Sequence, residues 1–281
     1  MKHNNLYQKV TTTFFGLLVI FWAVLLITSH KGGTANYWYS FLFGLIPLVG
    51  GFVGMVQSSI WGGLKSSLGR AVFFISLGLF LWGMGESIWS YYNFFKHVPA
   101  PYPSLADIGF APSIFFWILG TAYLSRATGA LLVLKRSRKA KILVVIIPLI
   151  LLVPSYYIQI QVARQGVLVP DGETTLKTIL DIAYPFGDFL ALTFAALVAI
   201  LSHRYFGGIY RRAVSYLLAG LAVMYFADSV FSYTTTKGSY YNADWGDLLL
   251  ATGLYLLTVG VLAFASKPAL GKSSPDQEEA A

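Results

Sequence analysis

The sequence predicts an all-α, polytopic integral membrane bundle of about eight transmembrane helices, built as two parallel four-helix repeats. Three observations carry that expectation. Hydrophobic residues make up 56% of the 281 positions and charged residues 11%, far from the balance of a water-soluble domain. Apolar runs repeatedly reach the roughly 20 residues that cross a hydrocarbon core about 30 Å thick. An acidic motif also occurs twice inside such runs: Gly85-Glu86-Ser87-Ile88-Trp89-Ser90-Tyr91 and Ala227-Asp228-Ser229-Val230-Phe231-Ser232-Tyr233.

The first span, Thr11–Ser29, follows Lys2 and Lys9. Its run is longer than a signal-peptide core and no small-x-small cleavage site closes it, so it is read as a retained helix. Tyr37–Ile60 carries Phe43-Gly44-Leu45. Ala71–Tyr92 ends in the first acidic motif, and Ser104–Ser125 opens on Ser104-Leu105-Ala106-Asp107. Lys141–Ile160 follows a basic linker. Thr175–His203 holds Asp181, Tyr184 and Asp188 on one face, since positions seven apart nearly superpose around a helix. Ala213–Tyr233 ends in the second motif, and Asp244–Ala265 opens on Asp244-Trp245-Gly246-Asp247.

Charge orients the bundle. With the N-terminus inside, fifteen of the 20 Lys and Arg fall on the cytoplasmic side. That is the positive-inside bias of a cell or inner membrane protein with both termini cytoplasmic. It accounts for the net charge of +8 without nucleic acid. The partner implied directly is the lipid bilayer. The expected organisation is a first repeat over 1–125, a basic cytoplasmic linker over 126–140, a second repeat over 141–266 and a disordered tail over 267–281. Gly120 and Gly260 each lie thirteen residues after Asp107 and Asp247, and Phe186-Gly187-Asp188 resembles Phe43-Gly44-Leu45. Two units of four spans enter the membrane with the same orientation, as parallel repeats do.

Glu86, Asp107, Asp181, Asp188, Asp228 and Asp247 are the candidate ligand, cation or proton site. Carboxylates in membrane segments are costly and mark such sites. No Lys or Arg lies in the interior of a span, so these acids are expected to be protonated, hydrated or cation-bound rather than ion-paired. Glu86 and Asp228 sit at matching depths. Asp107 and Asp247 stand in the first turns of their helices, where capping is the plain alternative; they are also the candidate ligands of a hard divalent cation. Asp188 is nearest the midplane and aligns with Leu45, which breaks the symmetry. Trp82, Trp89, Ser90, Tyr184 and Trp245 are the expected pocket lining. The tyrosines near the outer boundary, Tyr102 and Tyr240 among them, read as an aromatic belt, and an organic-cation pocket is the lesser reading of these aromatics.

Several chemistries are excluded. There is no cysteine, hence no disulfide or thiolate site. His3, His30, His97 and His203 avoid mid-span, as do all lysines, so haem pairing and a retinal Schiff base are not expected. No nucleotide, hydrolase-elbow or zinc-protease motif is present, which leaves no evident cofactor beyond a divalent cation and no assigned catalytic residue.

Glu86-Ser87-Ile88-Trp89-Ser90-Tyr91-Tyr92 followed by Pro103-Ser104-Leu105-Ala106-Asp107 resembles the multi-pass N-terminal membrane sensor module of bacterial diguanylate cyclases and sensor histidine kinases. The likeness covers Leu81–Gly120, with a weaker echo in the second half. It implies a prokaryotic signal-input role. No kinase or cyclase output region lies within the 281 residues, so a signalling partner is expected to carry the output. Sensing, cation- or proton-coupled transport and an intramembrane lipid-modifying hydrolase are the three expectations, in that order.

Overall fold

The computed structural model describes the chain except residues 1, 30, 131–133, 135, 170–171, 173, 202–210 and 265–281. The expected tail, together with His30, Lys135, His203, Arg204, Lys267 and Lys272, lies outside the described residues. The fold is an all-α bundle with no strand among them. Its helices are α1 (Lys2–Ile27), α2 (Thr34–Gln57), α3 (Ser67–Tyr91), α4 (Asp107–Ala127), α5 (Arg138–Tyr156), α6 (Thr175–Leu201), α7 (Arg211–Thr236) and α8 (Trp245–Ala263). All eight contribute a segment long and apolar enough to span a bilayer, so this is a multi-pass membrane protein.

Local chemistry sets several boundaries. Short 3₁₀ turns over Ser58–Trp61 and Gly63–Lys65 separate α2 from α3. Gly62 has φ +88° there, a left-handed backbone that glycine adopts without strain. Ser66 then caps α3 by accepting from the Gly69 amide at 2.9 Å. Asp244 caps α8 by accepting from the Asp247 amide at 3.1 Å. Inside α6, Pro185 has no amide proton for the carbonyl of Asp181, four residues back. The Ser232 hydroxyl of α7 stands 3.3 Å from that carbonyl and 2.8 Å from Gln159 Oε1, and serves both.

Helices α3 and α4 form one tight antiparallel pair, α7 and α8 another. The α3–α4 seam is closed by glycine: a Cβ on Gly85 would stand 2.7 Å from Phe110 Cδ1 and 2.8 Å from the Ala106 carbonyl. Nothing larger fits beside Glu86 at that crossing. The two pairs are joined crosswise, α4 packing on α6 and α2 on α8. Helix α1 leans on α8 and α2, while α5 leans on α6 and is otherwise largely exposed. Its bare Ile, Leu and Val faces suit lipid.

Candidate functional site

The cavity lies at the end of the bundle that carries the 92–106 and 237–244 loops. Its volume is ≈ 50 Å³, within a partly open recess of ≈ 510 Å³ between the helix ends. Its wall is aromatic: Phe43 from α2, Trp82 and Trp89 from α3, Phe110 from α4, Tyr184 from α6 and Phe231 from α7, with Tyr102 and Tyr240 entering from the two loops. Ile114 and Leu250 complete the apolar surface. Among the described residues three carboxyl groups face in, those of Glu86, Asp228 and Asp247, and no Lys, Arg or His lines it.

The acids differ in what holds them. Asp247 accepts from the Ala243 amide at 2.7 Å and from the Tyr240 hydroxyl at 3.2 Å, with Ser40 of α2 at 3.4 Å. Asp107 accepts from the Ser104 amide at 2.7 Å and from the Tyr184 hydroxyl of α6. Each first-turn acid is thus reached by a hydroxyl from a helix outside its own tight pair. Burial and neighbouring carboxylates hold the Tyr102 and Tyr240 phenols well above their ordinary range, so both remain hydrogen-bond donors. Burial likewise pushes Asp244 up to about 6, although backbone amides oppose it.

Glu86 and Asp188 have no such support. Glu86 is buried and its Oε1 has no hydrogen-bond partner. It passes over Gly44, where a Cβ would stand 2.8 Å from its own Cβ. Asp188 is 0% exposed and neither of its oxygens meets a conventional donor. The Asp228 carboxyl is close enough to act on it electrostatically. Asp228 lines the cavity, while Asp188, near the middle of α6, does not.

Asp181 corrects the expectation that every acid lacks a basic partner. It is fully buried and pairs with Arg164, which is buried too, and with Lys177 Nζ at 3.0 Å. Tyr102 donates to its other oxygen at 2.7 Å. Both bases belong to the loop end of the bundle: Arg164 follows the π-helical segment Tyr157–Ala163, and Lys177 lies in the first turn of α6. Spans alone did not reveal that they fold inward over Asp181.

Trp245 is a second correction. It is 59% exposed and packs edge-on against Trp22, away from the cavity. Two positions separate it from Asp247, about 200° around a helix, so the two cannot share a face. Trp82, Trp89 and Tyr184 do line the cavity. Ser90 is buried outside it, its hydroxyl without a partner. Tyr102 and Tyr240, expected at the lipid boundary, turn inward instead. Asn242 was not anticipated at all: it accepts from Trp89 Nε1 at 2.9 Å and Ser40 Oγ at 3.0 Å, and donates to the Pro99 carbonyl at 2.6 Å. One amide thus ties both loops to α2 and α3. Among the described residues no group of three His, Cys, Asp or Glu is placed to hold a metal ion; Asp107 and Asp247 are each engaged with hydroxyl and amide donors.

Residues 38–205 match the profile of the Family of unknown function (DUF6790), and the chain belongs to that family. The match includes Glu86, Asp107, Asp181 and Asp188 and stops before Asp228 and Asp247. No curated protein and no solved structure matches the chain.

Proposed function

We propose that this member of the DUF6790 family captures a small organic cation, an amine or quaternary ammonium, in the aromatic cavity, and that it serves as a signal-input protein. One observation carries the ligand class: among the described residues eight aromatic rings and three carboxyl groups line the cavity, and no basic side chain does. Aromatic faces attract cations with about 0.5–2 kcal/mol per contact, most where water is excluded. A carboxylate at the same site adds an attraction of several kcal/mol at intermediate effective dielectric. An anion would meet repulsion from Glu86, Asp228 and Asp247.

In this reading α1–α4 and α5–α8 are parallel repeats, and the crosswise α4–α6 and α2–α8 contacts support it, since exchanging the halves interchanges them. The cavity opens toward the outside of a prokaryotic cell membrane, as the Lys and Arg bias indicates. A cation bound between the repeats alters how they pack, and a separate protein reads the change. Proton-coupled transport is the second reading, favoured by the buried Asp188 carboxyl, whose oxygens have no hydrogen-bond partner among the described residues. A divalent cation is the weaker ligand, because the first-turn acids already have donors.

Tryptophan emission tests the ligand, since Trp82 and Trp89 line the wall. Tetraethylammonium and choline titrated into purified protein are expected to give a saturable change that sodium does not give. Glu86→Gln and Asp228→Asn are expected to weaken it at least about tenfold, worth about 1.4 kcal/mol. Saturable binding with the same affinity in both variants, or none for either cation at millimolar concentration, overturns the proposal.

A further inference from the structure

We propose that the cavity takes a short α,ω-diamine, with one ammonium at Glu86 and the other at Asp228. This rests on the organic-cation reading of the cavity and names the cation: it carries two charges, one for each half of the bundle.

The sequence puts the two acids in register. Glu86 and Asp228 hold the same position of the motif that occurs twice, and three residues further on stand Trp89 and Phe231. Residues three apart share a helix face, so each acid lies beneath its ring. The rings meet although their helices come from different pairs, α3 packing on α4 and α7 on α8. Trp89 and Phe231 lie edge to face with centroids 6.1 Å apart, and Tyr240 closes on both at 5.9 Å and 5.1 Å. Both helices run toward the loop end of the bundle. The ring cluster therefore covers the cavity on the loop side, and the two acids stand about 4.5 Å deeper along their helices. Phe110 and Leu250, each three residues beyond its first-turn acid, line the cavity too. Acid, ring and apolar side chain thus repeat across one space, and a ligand that answers this lining has two like ends.

Of the three cavity carboxyls, two are left for a ligand. Asp247 is supplied by the Ala243 amide at 2.7 Å and the Tyr240 hydroxyl at 3.2 Å. Glu86 is 5% exposed and lines the cavity, and its Oε1 has no hydrogen-bond partner. Asp228 is half-buried and opens onto the same space. A monocation leaves one of these two without a counter-charge, which is costly away from water. A diamine serves both, because its amines are protonated near neutral pH as that of lysine is. Its methylenes lie against the apolar wall, which includes Trp82 and Phe110. A divalent metal ion does not fit this arrangement: among the described residues no group of three His, Cys, Asp or Glu is placed to hold one.

Tryptophan emission decides it, with the native chain titrated with the diamines from 1,3-diaminopropane to 1,8-diaminooctane, the n-alkylamines of equal length and tetraethylammonium. Diamine affinity is expected to peak at one chain length, at least about tenfold tighter there than the equal-length monoamine. General attraction to an acidic surface gives no such peak. In Glu86→Gln and in Asp228→Asn the advantage is expected to fall below about threefold, since one anchoring carboxylate remains. A monoamine that binds as tightly as the best diamine, or diamine affinity without a peak, overturns the dication. Saturable monoamine or tetraethylammonium binding then leaves the cavity reading standing. That comparison needs no variant to fold. An advantage retained in either variant overturns the placement of the two ammonium groups. If neither the diamines, the monoamines nor tetraethylammonium bind, the cavity reading falls and the diamine with it.

Discussion

Asp181 and Asp188 stand two turns apart on one face of α6, yet their surroundings are opposite. Asp181 has Arg164, Lys177 and Tyr102 around it. Asp188, equally buried, has no hydrogen-bond partner for either oxygen among the described residues. The contrast extends to two layers of the molecule. At the loop boundary Asp107, Asp181, Asp244 and Asp247 are each furnished with amides, hydroxyls or bases. Deeper in, Glu86 and Asp188 lack them. The boundary layer holds loops and helix ends in place, and the deeper carboxyls are left without hydrogen-bond partners among the described residues.

The strongest way to break this division is to strip the boundary layer of a base. Arg164→Met leaves a buried Asp181 with Lys177 as its remaining base, and breaking a buried pair on one side costs about 3–5 kcal/mol. A clear fall in melting temperature is expected, read by thermal unfolding in detergent. Asp188→Asn is expected to leave melting little changed, because the Asp188 carboxyl has no hydrogen-bond partner among the described residues to lose. Equal destabilisation by both would erase the distinction.

A smaller effect tests the boundary layer by pH. Asp244 titrates in the fold at about 6, above the ordinary 3.8, chiefly through burial. The folded state therefore holds this proton more tightly than the unfolded chain. The stability it contributes is present below pH 4 and is lost as pH rises through about 6. The slope is at most about 1.4 kcal/mol per pH unit in that window. Asp244→Asn keeps an oxygen for the Asp247 amide and removes the titration. Its melting temperature should fall less than that of the native chain between pH 4 and 6, and run parallel above it. Parallel curves throughout would show that Asp244 does not titrate there.

Much of the bundle was legible in the sequence, because membrane spans are written in length and apolarity. Each of the eight expected spans coincides with a helix long and apolar enough to cross, although α5 begins at Arg138, ahead of the expected Lys141. The acids were legible too, since a carboxylate in an apolar run stands out. Their partners were not. Arg164 and Lys177 sit in loop and first-turn positions that a span diagram assigns to water, and only tertiary folding brings them over Asp181. Tyr102 and Tyr240 carry the composition of an interfacial belt, and nothing local tells a ring facing lipid from one facing a cavity. Trp245 is different: its helical phase against Asp247 already placed it on the outer face.

The finest probe shifts a deep carboxylate without changing any charge. Gly44 of α2 lies under Glu86 so closely that an added Cβ would stand 2.8 Å from the Glu86 Cβ. Real Cβ atoms do not approach so near, so Gly44→Ala must move α2 or swing Glu86 along the cavity wall. The helix itself loses nothing by the change, since alanine is favoured over glycine by about 1 kcal/mol in a helix interior. The added methyl, however, overpacks this contact at a cost of about 1–3 kcal/mol, so a modest fall in melting temperature is expected. Tetraethylammonium affinity is expected to fall several-fold, roughly 1 kcal/mol, because the Glu86 oxygens no longer meet the bound cation. Unchanged affinity would place the cation beside Asp228 and Asp247 alone. Glu86 would then belong, despite its unpartnered oxygen, with the acids that serve the fold.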